Sequence, residues 1–350
     1  MPGTADRADM ARGNIRATVV GFAATAGVFA LLFSFAGIDD LLATLGRADL
    51  GTVALVLAAT LAWLVAWSLS LNIVLDVLGV DLSYATSFLV FSGATFANNV
   101  TPFGQAGGEP VAALFVSRAS DTEYETGLAA IASVDSLNFV PSILLATAGI
   151  GYFSTRVAFG SRLRVASYAV VGLALAVPIL AVLGWRYRYR VERAAVGAVT
   201  PVLRVVARAV PGRGKPTRTA VRSRVEGFFG AIERVGGDRR RLVLALGFST
   251  AGWLCLATSL WLSLAALDQA VAFPVVLVVV PVGAIAGITP LPGGLGGVET
   301  VIVALLAALG VPASVAAAAV VIHRTGTYVL PTVVGGAVAG ALGSQSVPTS

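Results

Sequence analysis

Apolar residues run along this chain in blocks rather than in alternation. Runs near the length of about 20 residues that a helix needs to cross a bilayer core occupy roughly 16–38, 51–75, 126–153, 165–185, 242–266 and 313–342. Each is predicted to span a membrane. Two further apolar stretches, 84–118 and 272–309, are broken midway by TPFGQAGGEP and TPLPGGLGGVE. Their arms are too short to cross at about 1.5 Å per residue. Each stretch therefore predicts a re-entrant hairpin, its broken backbone buried in protein or facing a wet cavity. The run from Arg16 to Ile38 exceeds a signal-peptide core and is expected to stay as the first span.

The two broken stretches are copies. A shift of 190 residues carries Thr60, Trp63 and Leu64 onto Thr250, Trp253 and Leu254, and Pro141 onto Pro331. It also carries Pro102, Gly104, Gly107 and Glu109 onto Pro292, Gly294, Gly297 and Glu299, so both tips read P-x-G-x-x-G-x-E. Matched Trp, Pro and Glu in one register mark an internal repeat. The fold predicted is an all-α polytopic membrane protein of two repeats. An N-terminal span and outer loop fill 1–50, and repeat 1 fills 51–153. A connecting span and basic loop fill 154–241, and repeat 2 fills 242–343. Re-entrant hairpins would make the repeats inverted, with tips meeting near the midplane, as in alternating-access transporters. Crossing segments would make the repeats parallel instead.

Composition fits lipid as the solvent: 57% of residues are hydrophobic and 12% charged, about half the charge of an ordinary soluble domain. The net charge is +6, and it is concentrated. Between Arg186 and Arg241 lie 15 of the 24 Lys and Arg residues. Between two spans this reads as a cytoplasmic loop rather than a nucleic-acid surface. With re-entrant hairpins, counting back puts the N-terminus inside and the acidic segment Asp39 to Asp49 outside; crossing segments would put the N-terminus outside. Arg156, Arg162 and Arg164 also fall outside, against the positive-inside trend. Val221, Val225, Phe228, Phe229, Ile232 and Val235 recur at helical spacing among arginines. They suit either a helix on the anionic inner leaflet or a helical hairpin packed on the membrane domain. With one cysteine and one histidine, an intrachain disulfide and a cysteine-based metal cluster are excluded, most metal-centred schemes are removed, and no cofactor is expected.

Glu109 and Glu299 are each expected to begin the second arm of a hairpin. A charge at the bilayer centre costs about 2.5–3.5 kcal/mol, whereas favourable placement at a helix N-terminus returns about 0.3–1 kcal/mol. Capping alone does not account for two such residues, and a midplane polar path does. Arg324 in the last span is either a counter-ion for a glutamate or a guanidinium for a lipid phosphate. The two roles can alternate. His323 beside it reads more simply as a helix–helix hydrogen bond. Asp135 and Asn138 are candidate cavity residues, with packing contacts the plainer alternative. Asn99 belongs to a polar first tip, and Gly104, Gly107, Gly294 and Gly297 allow backbone amides to approach a phosphate.

TPLPGGLGGVE at 289–299, with NNVTPFGQAGGEP at 98–110, resembles the flippase-like transmembrane region of lysylphosphatidylglycerol synthases. The resemblance covers nearly the whole chain, though Gln105-Ala106 interrupts the first glycine motif. It implies a stand-alone member that moves lipid between leaflets and is not an enzyme, with Glu109, Glu299 and Arg324 as cavity residues. The expected partners are membrane lipids, anionic phospholipid or lipid-linked glycan, in the cell membrane. A homo-oligomer is compatible with the sequence. An intramembrane enzyme using Glu109, Glu299, Asp135 and His323 for acid–base chemistry, and a non-transporting scaffold, are the competing readings.

Overall fold

The structure, a computed structural model, describes residues 38–101, 104–156, 233–289 and 291–344, with 186, 187, 226 and 230 besides. The spans expected at 16–38 and 165–185, the outer arginines Arg162 and Arg164, and most of the basic loop lie outside the described residues. In chain order the helices are α1 (Ile38–Leu45), α2 (Leu50–Val77), α3 (Tyr84–Val100), α4 (Gln105–Ser120), α5 (Tyr124–Arg156), α6 (Arg239–Ala265), α7 (Phe273–Ile285), α8 (Gly297–Ala308), α9 (Ala313–Arg324) and α10 (Leu330–Ser344). A π turn, Thr325–Val329, joins the last two. Among the described residues, four segments are long and apolar enough to cross a membrane: Leu50–Val77, Tyr124–Tyr152, Arg239–Ala265 and Ala313–Gly340. Their outer faces carry exposed Leu61, Val65, Leu144, Val243 and Val333, which only lipid solvates without cost. The chain is an integral membrane protein.

Local chemistry sets the helix ends. Asp49, Ser83 and Asp238 cap α2, α3 and α6 by accepting from the amides of Thr52, Thr86 and Arg241. The Thr52 hydroxyl and amide hold the Asp49 carboxyl below its ordinary range. Pro331 cannot donate to the carbonyl of Thr327, and just before it the π turn has Leu330 N donating back to Thr325 O.

Helices α2 and α6 form the centre and run antiparallel. Arg241 Nη1 meets Asp76 at 2.8 Å near one end. Trp67 Nε1 donates to Ser249 O at 3.1 Å in the middle, and Asp49 N donates to Ala266 O at 2.9 Å at the other end. That register sets Trp63 opposite its repeat copy Trp253. Trp67 joins them edge-on, 5.5 Å from Trp63 and 5.6 Å from Trp253. Gly252 makes room, since a Cβ there would overlap the Trp67 indole.

Both broken stretches fold back on themselves. Gly108 lies against Asn98 and Gly93 against Phe115, so α3 and α4 run in opposite senses. Gly287 against Val298 and Gly283 against Ile302 say the same of α7 and α8. The breaks differ in one respect. Gly296 takes φ +83 and delays α8 until Gly297, whereas its copy Ala106 is helical and lets α4 begin at Gln105. A side chain resists positive φ. Glu299 therefore sits in the first turn of its arm, as expected, but Glu109 sits in the second turn of α4 rather than at its start, and Gly107 is helical.

Val235 is buried in the same core as α2 and α6. Within the described end of the basic loop, residues 233–237, Val235 alone is buried against the membrane domain and its neighbours are exposed. The rest of the apolar series at 221–232, Glu226 and Gly230 apart, lies outside the described residues.

Candidate functional site

The hairpin tips meet. A Cβ on Gly104, at φ +54, would stand 3.1 Å from Gly287 O, and one on Gly293, at φ +57, would stand 3.0 Å from the Asn99 backbone. Only glycine lets two backbones come this close while taking such dihedrals.

Glu299 is 2% exposed beside this junction. Its Oε2 accepts from the Gly296 amide at 2.6 Å, and its Oε1 accepts from Arg324 Nε at 2.5 Å. One carboxylate therefore caps a helix and neutralises a cation. Arg324 is fixed by Nε, while Nη2 reaches Gly293 O only at 3.4 Å. Its guanidinium carbon lies 4.8 Å from the Tyr328 ring centroid, a cation–π distance. Its side chain is 17% exposed, and Nη1 has no acceptor among the described residues. A mostly buried cation with Nη1 unengaged among the described residues, next to glycine backbone, is the chemistry that takes an oxyanion.

Tyr328 carries the network to the other repeat. Its hydroxyl donates to Asn99 O at 2.9 Å. Asn99 Nδ2 donates to Thr332 Oγ1 at 2.8 Å and to Tyr328 O at 3.3 Å. Sequence reasoning missed Tyr328 and Thr332. The available signal was the 190-residue shift, which lays them on Asn138 and Ser142, the first already a candidate.

The other expected site residues separate. Glu109 and Asp135 are close enough for each to act on the other's charge, two carboxyls where the second repeat has its ion pair. Asn98 Oδ1 and Asp135 Oδ2 are buried there with no donor among the described residues. Asn138 turns to α6: its Oδ1 accepts from Ser249 Oγ at 2.5 Å and its carbonyl from Trp253 Nε1 at 2.8 Å. His323, 4% exposed, pairs with Ser259 Oγ at 2.9 Å, the helix–helix hydrogen bond read as the simpler alternative. Gly104, Gly294 and Gly297 lie at the junction; Gly107 lies in the first turn of α4. No group of three or more His, Cys, Asp and Glu placed to hold a metal occurs among the described residues.

Residues 18–335 match the family model described as the lysylphosphatidylglycerol synthase TM region. The chain is 27% identical over 340 residues to a UPF0104 membrane protein of Methanothermobacter thermautotrophicus, covering 93% of each chain. A UPF0104 membrane protein of Pyrococcus horikoshii is 24% identical over 313 residues, covering 87% of this chain and 91% of the relative. One of Methanocaldococcus jannaschii is 22% identical over 306 residues, covering 87% and 88% respectively.

Proposed function

The chain belongs to the family of the lysylphosphatidylglycerol synthase TM region, and on that footing we propose that it moves a phosphate-bearing lipid between leaflets through the tip junction. The observation that carries this reading is the buried Glu299–Arg324 pair, joined through Nε, with Nη2 resting on Gly293 O at 3.4 Å. Arg324 grips a head-group phosphate and Glu299 holds the arginine's charge when lipid is absent. Acyl or isoprenoid chains stay in the surrounding lipid during passage. The protein works as a transporter and not as an enzyme, on anionic phospholipid or lipid-linked glycan.

In this reading residues 51–153 and 242–343 are inverted repeats, each with a re-entrant hairpin. The antiparallel course of α2 and α6, which the 190-residue shift superimposes, supports it. So do the lateral contacts. Gly335 packs on Ser92, and the shift carries that contact onto Leu145 and Val282, one helical turn from the observed packing of Gly149 on Val278. Residues 186–241 face the cytoplasm of a cell membrane by the positive-inside rule.

The test is leaflet exchange of fluorescent anionic and glycosylated lipids in proteoliposomes. Wild type is expected to exchange lipid, and both Arg324→Ala and Glu299→Gln to reduce the rate at least tenfold. Sealed vesicles with folded wild type and no exchange of any phosphate-bearing lipid defeat the proposal.

A further inference from the structure

Beside the junction Asn99, Tyr328 and Thr332 are hydrogen-bonded to one another. At the matching place Thr289 has no side-chain bond to Asn138 or Ser142, and Asn138 bonds, outside its own helix, only to Ser249 and Trp253 among the described residues. Asn99 engages Tyr328 and Thr332 through three bonds. Moved by 190 residues, Asn99 falls on Thr289, and Tyr328 and Thr332 fall on Asn138 and Ser142. In this second set Thr289 Oγ1 and Asn138 Nδ2 are both buried without a partner among the described residues. Buried polar groups are ordinarily satisfied. Here a side-chain amide donor and a hydroxyl, which complement each other, stand orphaned at the copies of an engaged pair.

We propose that Thr289, Asn138 and Ser142 form a second latch, which engages in an alternate state where the Asn99–Tyr328–Thr332 latch is released. The two states open the same site to opposite leaflets, and this assignment rests on the inverted-repeat, lipid-moving reading above. The first latch ties the end of α3 to the π turn and α10. The second ties the turn after residues 286–288 to α5. Each exchange is a small slide along a surface already cut for close approach. Gly149 admits Pro274 O and Val278, and Gly335 and Gly336 admit Ser92 and Phe96. Packed helices slide by such shear without unpacking. The orphaned pair is then the mark of the state not occupied here, and the alternate state is expected to orphan Asn99 and Tyr328 in turn.

The test is cysteine cross-linking of the full chain in proteoliposomes, where Cys255→Ser removes the single native thiol. The pair Asn99→Cys with Thr332→Cys reports the latch seen here, and Thr289→Cys with Ser142→Cys reports the second. With a mild oxidant and peptide mass spectrometry, both pairs are expected to cross-link. Adding Tyr328→Phe, which removes the donor to Asn99 O, is expected to raise the second pair's yield severalfold. Residual closure of the first pair in that background shows the fold intact. A second pair that stays open in both backgrounds, while the first closes, overturns the latch. Lipid exchange in the same vesicles separates the two ideas. Both cross-links without lipid movement keep the latch and sink the lipid reading; movement with the second pair silent does the reverse.

Discussion

Glu299 and Arg324 illustrate how a buried pair binds stability to function at single side chains. Removing one member leaves the other charge desolvated, which costs about 3–5 kcal/mol for a fully buried pair. Arg324 keeps some exposure, so Glu299→Gln is expected at the lower end of that range, read as a lowered unfolding midpoint in detergent. The double variant Glu299→Gln with Arg324→Gln removes both charges and is expected to recover most of the loss, which a double-mutant cycle quantifies. If the single and double variants lose equal stability, the pair is not the source of the cost. These two residues were legible in the sequence because a charge inside an apolar run is rare and expensive. Tyr328 and Thr332 were not, because an aromatic ring or hydroxyl in a span is ordinary and its neighbour lies 229 or 233 positions away. Asn138 was a candidate cavity residue and His323 the plainer helix–helix contact. Their serine partners, Ser249 and Ser259, were not legible, because serines in spans carry no such signal.

At the level of helices, glycine and proline set where the chain stops being helical. Gly296 at φ +83 starts α8 late; Gly296→Ala is expected to cost about 1–2 kcal/mol from backbone strain, visible as a drop in thermal midpoint. Pro331 acts through a missing donor. Pro331→Ala restores an amide for Thr327 O, so the π turn should tighten into α-helix and Tyr328 should swing off Asn99. Slower amide exchange across Thr325–Val329, with weaker cross-linking between positions 99 and 332, is the expected result; unchanged exchange counts against proline as the cause. The broken hairpins were readable from these same residue types. The late start of α8 relative to α4 was not, because it turns on Ala106 replacing one glycine of a motif that otherwise matches.

Over the whole molecule, apolar block length sufficed to mark the four described spans, since lipid-facing and core-facing positions are both apolar and only extent carries information. Which helices touch was beyond such a reading: the α2–α6 centre depends on Gly252 giving way to Trp67, a steric fit between residues 185 positions apart. Sidedness is checked by Arg222→Cys in the Cys255→Ser background. An impermeant maleimide added to intact cells is expected to leave it unlabelled and to label it once the cytoplasmic face is opened. Labelling from outside would reverse the orientation. The placing of Trp63 opposite its own copy Trp253, with Trp67 touching both, has a consequence for ancestry. A surface that pairs with its duplicate turned over is one that two separate half-length chains offer each other only if one inserts upside down. On the inverted-repeat reading proposed above, a single-repeat forebear entered the membrane in both orientations and assembled as an antiparallel pair. On the same reading, fusion of two copies with a basic segment between them froze each half in one of the two orientations.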